Sequence, residues 1–376
     1  MTDTVPRPAA LSHHDLNQPA STAQSSLPKD WWSIQYLRAI AALMVVFHHA
    51  REQFSWVKDA YPTEIGGAGV DVFFVVSGFI MVFITFAKPT TPNDFLMRRI
   101  IRIVPLYWIF TLLLVALVLL APSLFRSVRF EPGHVIQSLL FIPHYGPDGR
   151  LNPILSLGWT LNYEMFFYLV FASLFFLRQS IRIAVIAAIF AGLVVAGMVY
   201  PGKSGFWHFL TNSVLLEFVF GMALADLVTR GIRISRGPSL LLFLAGLVNF
   251  VLVGSFMPEN LLIRAVEFGA PAILMAAGLV FLERAGGLGQ VKGLRIIGDA
   301  SYSLYLSHIF TLGALRWIWN RLDLPESALL FTLAGLVACT AAGVIIHLLV
   351  ERPILRACLS GLRVRRVALR ANASGS

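Results

Sequence analysis

Trp32-Ser-Ile-Gln-Tyr-Leu-Arg-Ala-Ile-Ala-Ala-Leu-Met-Val-Val-Phe-His-His-Ala50 is apolar enough to cross a bilayer, yet it carries an arginine near its start and two histidines at its end. Ionisable groups inside a spanning helix are costly and are tolerated mainly where they face a bundle interior or a cavity. On an α-helix Arg38 and His49 return to within about 20° of one face, roughly 16 Å apart along the axis. His48 points about 80° away from that face. His49 is therefore the histidine aligned with Arg38. The plainer reading has two interfacial histidines beside an arginine that snorkels toward water.

The surroundings of that stretch set its context. The chain has 376 residues, 57% hydrophobic and 13% charged, too apolar for an ordinary soluble domain. Apolar runs long enough to span fall at about 34–50, 70–87, 104–121, 158–177, 181–200, 206–228, 238–256, 262–282, 300–319 and 327–350. The expected fold class is an all-α polytopic membrane protein, a bundle of about ten transmembrane helices. With both termini inside, the inner segments hold 21 of the 30 Lys and Arg residues and the outer loops hold 9. That bias obeys the positive-inside rule and predicts an N-in/C-in topology.

Residues 1–30 are rich in Pro, Ser, Thr, Ala and Gln and are expected to form a disordered cytoplasmic tail without a cleavable signal peptide. Residues 31–353 form the expected integral membrane domain, and 354–376 a basic cytoplasmic tail. The net charge of +10 would suggest nucleic acid in a soluble protein. Here its location, with Arg363, Arg365, Arg366 and Arg370 at the end, suits topology and contact with anionic membrane lipid instead. No nucleic-acid partner is expected. Cys339 and Cys358 form no disulfide framework, and no Cys/His cluster suggests a metal.

This orientation assigns the polar groups to sides. Span 1 leaves Arg38 near the cytoplasm and His49 near the outer face. The second span enters through Gly66-Gly-Ala-Gly-Val-Asp71, which places Asp71 at the outer level, and a packing role is favoured for Ser77 and Gly78. The inner loop before the third span reads Asn93-Asp-Phe-Leu-Met-Arg-Arg-Ile-Ile-Arg-Ile-Val-Pro-Leu-Tyr-Trp108. In a helix, Arg98 and Arg99 each share a face with Arg102. Three guanidiniums beside Tyr107 and Trp108 suit phosphate groups and an aromatic base, although a positive-inside anchor with an aromatic belt explains them too.

The outer loop 122–157 contains Arg126, Arg129, His134, His144, Asp148 and Arg150 and is placed to cover an entrance or touch a polar substrate. Glu164 follows in Leu157-Gly-Trp-Thr-Leu-Asn-Tyr-Glu164 and is expected near the depth of His49. Glu267 lies at a similar depth, while Glu217 and His308 fall nearer the middle of the membrane.

These stretches, taken together, resemble the membrane-bound acyltransferase family 3 over roughly residues 33–352. The residues that carry the resemblance are Tyr36-Leu-Arg38 with His49; Gly69-Val-Asp-Val-Phe-Phe-Val-Val-Ser-Gly-Phe79; Arg98-Arg-Ile-Ile-Arg-Ile-Val-Pro-Leu-Tyr-Trp108; Trp159-Thr-Leu-Asn-Tyr-Glu164; and Ser301-Tyr-Ser-Leu-Tyr-Leu-Ser-His308. The first segment looks closest to the exopolysaccharide-modifying, ExoZ-like branch. The resemblance implies transfer of an acyl group, usually acetyl, from cytoplasmic acyl-CoA to a hydroxyl of a surface polysaccharide or its lipid-linked precursor. Acetyl-CoA would be a co-substrate, with no tightly bound cofactor.

It also implies functional roles for Arg38 and His49, and for the RxxR pair Arg99 and Arg102. Trp159 and His308 join the expected substrate-binding set with Arg38, Arg98, Arg99, Arg102, Tyr107 and Trp108. His49 suits a general base because its pKa lies near working pH, and Glu164 or Asp71 is expected to hold its tautomer. A covalent acyl-histidine relay fits equally well. The expected location is the bacterial inner membrane, with polysaccharide-biosynthesis proteins as further partners. The rival class is a transporter or flippase of glycan or lipid precursors, which would have no need for a CoA site.

Overall fold

The computed structural model describes residues 31–88, 90–122, 128–253 and 263–362, and every regular element among them is helical. The expected tail 1–30, Arg126 and the terminal arginines 363–370 lie outside the described residues. The described parts of the expected apolar stretches are mainly helical. Helix α1 is Trp32–Arg51, α2 Ser55–Ala60, α3 Gly69–Ala87, α4 Pro92–Leu120 and α5 Pro132–Leu139. Then come α6 Gly158–Ser173, α7 Gln179–Val199, α8 Gly205–Leu210, α9 Leu215–Thr229 and α10 Arg236–Val253. The last are α11 Ala270–Arg284, α12 Lys292–Asp299, α13 Ser301–Arg321 and α14 Ala328–Ile346. Two π-helical turns, Ala265–Gly269 and His347–Glu351, adjoin α11 and α14.

Six helical segments are long and apolar enough to cross a membrane: Ile65–Ala87, Pro92–Leu120, Gln179–Val199, Gly205–Thr229, Ala265–Arg284 and Ala328–Leu362. The chain is a multi-pass membrane protein. The stretches outside this set, α1, α6, α10 and α13, are short or interrupted by ionisable side chains such as Arg38, Glu164 and His308. Three of them, α1, α6 and α13, bear site residues.

Helix α1 is the hub, packing against α3, α11, α12, α13 and α14. Its buried face, which includes Leu37, Ala41, Val45 and Val46, is fully or almost fully enclosed, so its polar groups meet other helices and not lipid. Small residues allow the closest approaches. A Cβ at Gly69 would collide with the Ala41 carbonyl of α1. Gly78 and Gly221 face each other's helix backbones, so α3 and α9 cross with nothing between them. The packing role expected for Gly78 is the observed one.

Helix α4 differs from expectation in being continuous. Thr91 caps it by accepting from Asp94 N at 3.2 Å, and Pro92 stands where its missing N–H has no intrahelical partner anyway. The basic stretch and the apolar span are one rod, with Pro105 inside it. The connection after α4 then folds back along it. Tyr107 Oη donates to Ser138 O at 3.1 Å, and Trp108 Nε1 to Leu139 O at 2.9 Å. Tyr107 lies roughly 20 Å along the axis below the end of α4. The short helix α5 therefore covers the flank of α4.

Candidate active site

A cavity of about 610 Å³ opens among α1, α3, α4, α6, α13 and the π turn after α14. Its basic lining comes from Arg38, Arg99, Arg102 and Arg352, with His347 beside them. Helical spacing explains the first part of this set. Arg99 and Arg102 sit one turn apart on the α4 face turned inward, whereas Arg98 is exposed and absent from the lining. The expected three-arginine face is thus a pair from α4, completed by Arg38 from α1 and Arg352 from the chain's far end.

One acidic group, Glu351, anchors this basic face through Arg102. Arg102 Nη1 lies 2.8 Å from Glu351 Oε1. The same carboxylate accepts from Ser303 Oγ at 2.6 Å and meets His347 Nδ1 at 2.8 Å. Tyr302 donates to Ile103 O at 2.7 Å and presents its ring to the Arg102 guanidinium. Arg38 donates to Gln35 Oε1 at 3.1 Å, on its own helix. Glu164 lines the cavity opposite, near Ser77 and Tyr168, whose hydroxyls are 3.3 Å apart.

Tyr305, Thr160 and Phe73 form another part of the wall. One turn beyond Tyr305 on α13 is His308, fully enclosed. Its ring centroid is 4.8 Å from that of His49, at 62°. Both histidines are outside the cavity lining. Its Nδ1–H donates to Val45 O of its own helix at 3.0 Å. That bond fixes the tautomer and leaves Nε2 with a free lone pair.

The carboxylate partners expected for His49 lie elsewhere. Asp71 is fully buried and bound by Arg264, Nε to Oδ1 at 2.9 Å and Nη2 to Oδ2 at 2.6 Å, with Glu217 beside it. Glu164 belongs to the arginine cavity. A backbone carbonyl does the orienting because α1 supplies one at i−4, without the expense of burying a second charge.

His48 faces a separate cluster, with Nδ1 3.4 Å from Glu64 Oε2 and Nε2 3.8 Å from Glu52 Oε1. Arg51 pairs with Glu64 through both nitrogens of its fork and holds that carboxyl below the ordinary range. Among the described residues, His48, His49 and Glu52 are also the one group with metal-type ligand atoms close together, within 4.8 Å.

The aromatic residues separate as well. Tyr107 is buried and Trp108 half exposed, both bonded to the segment after α4 and neither in the cavity wall. Trp159 packs edge-on against Phe74 and Tyr163 outside that wall. The aromatic rings that do line the cavity beside the arginines are Tyr168 and Tyr302. Tyr302 and Tyr305 were visible in the Ser301–His308 motif. Nothing in the sequence singled out Glu351 or His347, which look like the polar end of a last span.

Comparison with known proteins places this site in a family. A family model described as an acyltransferase domain matches residues 31–348. The chain is 36% identical over 313 residues to the exopolysaccharide production protein ExoZ of Rhizobium meliloti, covering 83% of this chain and 95% of that one. It is 26% identical over 367 residues to the acyltransferase MdmB of Streptomyces mycarofaciens, covering 86% and 91% respectively. The peptidoglycan O-acetyltransferase OatA of Listeria monocytogenes is 26% identical over 322 residues, and the match spans 47% of its length. No solved structure matches. With the family model spanning most of the chain and a relative 36% identical over most of both chains, this protein belongs to the membrane-bound acyltransferase family 3 and is an O-acyltransferase.

Proposed function

We propose that the protein transfers an acyl group, acetyl in the simplest case, from cytoplasmic acyl-CoA to a hydroxyl of an exopolysaccharide or its lipid-linked precursor. It would act in the bacterial inner membrane, with ten crossings and both termini inside. The observation that carries this reading is the cavity in which Arg38, Arg99 and Arg102 converge, close to the turn of α13 where the His308 ring packs against that of His49. Guanidiniums suit the phosphates and adenine ring of a CoA nucleotide, which a glycan carrier alone would not require. The names of ExoZ and OatA support a polysaccharide acceptor.

In this reading His49 Nε2 takes the proton of the acceptor hydroxyl as its oxygen attacks the thioester carbonyl. The new C–O bond forms, the C–S bond breaks, and the thiolate leaves with the proton. Tyr305 and Thr160, bonded to each other at 2.9 Å, form a polar part of the wall near that point. Glu164 lines the same cavity as the arginines, beside Ser77 and Tyr168.

The test is mass spectrometry of surface polysaccharide from cells with and without the protein. Loss of the acetyl mass increment in the deletion, restored by the gene, is the expected result. An unchanged polysaccharide together with accumulated lipid-linked precursor would favour a flippase.

A further inference from the structure

We propose that His48, His49 and Glu52 form a site for a divalent ion of the zinc class at the C-terminal end of α1, and that an ion held there stops acyl transfer by occupying His49 Nε2. The site stands on its own geometry. Its effect on transfer rests on the acyl-transfer reading given above.

The ligands come from one helix end. Glu52 follows His48 at i,i+4 and His49 at i,i+3, the two spacings that set side chains beside one another on a helix. Among the described residues this is the one group of three or more metal-type side chains whose ligand atoms lie within 4.8 Å of one another. His48 Nε2 is 3.8 Å from Glu52 Oε1, and the two imidazole centroids are 5.0 Å apart. Ligand atoms on tetrahedral zinc sit at about 2.0–2.2 Å, and therefore about 3.4 Å from each other. The Glu52 side chain is 46% exposed, so rotation of its free end closes the remaining gap without moving the helix.

Each ring turns its other nitrogen to an oxygen, as metal-binding histidines commonly do. His49 donates from Nδ1 to Val45 O at 3.0 Å. That leaves the Nε2 lone pair on the opposite edge of the ring, facing away from Val45 and toward the helix end where Glu52 lies. His48 Nδ1 is sealed from solvent without a hydrogen bond, 3.4 Å from Glu64 Oε2. A hydrogen on that nitrogen faces the carboxylate and frees Nε2 on the Glu52 side. Arg51 is tied to Glu64 through both nitrogens of its fork, so its charge is compensated beside the site.

The ligand set selects the ion. Two imidazoles and one carboxylate suit zinc and leave a fourth position for water, whereas calcium and magnesium prefer shells of oxygen. Occupation has a direct consequence for the chemistry. His49 Nε2 has one lone pair, in the plane of its ring. A metal ion and the proton of an acceptor hydroxyl cannot share it. A filled site therefore removes the base.

Full-length protein without a histidine tag would be purified in detergent, stripped with a chelator and titrated with Co²⁺, whose visible absorption reports a four-coordinate shell. Wild type should bind Co²⁺ saturably and release it to Zn²⁺. Glu52→Ala, at an exposed helix end, and His48→Ala should each weaken binding at least about tenfold. His134→Ala, which breaks the separate pair with His144, should leave it unchanged. In vesicles supplied with acetyl-CoA and polysaccharide from cells lacking the protein, saturating Zn²⁺ should slow acetyl transfer by wild type at least about tenfold, the scale of losing a general base. The same Zn²⁺ should spare Glu52→Ala, whose transfer without metal matches that of wild type. Absorption that never saturates, binding that Glu52→Ala retains, or binding that His134→Ala abolishes would each overturn the site. Full transfer by wild type with the site filled would overturn the inhibition. Wild type that transfers no acetyl without metal would sink the acyl-transfer reading and the inhibition with it, while the absorption titration decides the site.

Discussion

Arg102 Nη1 stands 2.8 Å from Glu351 Oε1, which joins the basic stretch of α4 to the π turn that follows α14. Glu351 is 2% exposed and also takes Ser303 and His347 as partners. Removing such a buried anchor leaves a cation and two donors unmet. Glu351→Ala should cost about 3–5 kcal/mol, read as a lower unfolding midpoint of the purified protein in detergent. An unchanged midpoint would mean that Arg102 finds another counter-charge.

The cavity separates three neighbouring arginines. Arg99→Gln and Arg102→Gln should each weaken acyl-CoA binding about tenfold or more, at about 1.5–3 kcal/mol per charge-assisted contact. Arg98→Gln, on the exposed face, should leave affinity within about twofold. Isothermal titration of CoA into the purified variants decides it. Equal losses at all three positions would point to a general field effect.

His49→Ala should lower acetyl transfer by about 10²–10⁴ at matched membrane levels, the usual loss with a general base. His48→Ala should keep most activity, because its ring faces Glu52 and Glu64 and not His308. Acetyl content of the glycan from both strains gives the answer. The reverse ranking would exchange their roles.

Asp71, Glu217 and Arg264 form a second buried cluster. Arg264 binds both oxygens of Asp71, and neither oxygen of Glu217 beside them finds a donor. A proton on Glu217, given to Asp71, satisfies both. Glu217→Gln mimics that form and should change stability by less than about 1 kcal/mol. Arg264→Gln strands the pair and should cost about 3–5 kcal/mol. Unfolding in detergent ranks them, and a harmless Arg264→Gln would remove the cluster from the packing account.

Glu64 carries a pH signature. Its carboxyl is held below the ordinary value by Arg51, so its contribution is fully present above the unfolded Glu value and is lost as pH falls through the lower, folded one. The midpoint gap between wild type and Glu64→Gln should be constant near neutrality and close only below about pH 4. A gap that closes between pH 6 and 7, about where histidine titrates, would assign it to His48 instead.

Much of the fold was legible because bilayer length and helical phase are local properties. The all-helical architecture and the divergence of His49 from His48 follow from spacing along one chain segment, whereas spacing alone put Arg98 on the face of Arg99 and Arg102, from which packing excludes it. The acyltransferase family was legible for the same reason, since its motifs are short and stand in order.

Packing between helices decided the rest. Sequence placed Asp71 and Glu164 at the depth of His49, but depth does not give azimuth in a bundle, and the two carboxylates turn to Arg264 and to the arginine cavity. Tyr107 and Trp108 follow the arginines in sequence, yet the segment after α4 folds back to claim them. Glu351 and His308 gain their meaning from residues far away in the chain. A buried polar atom acquires its partner only from the helix packed against it, and that choice is a property of the tertiary structure.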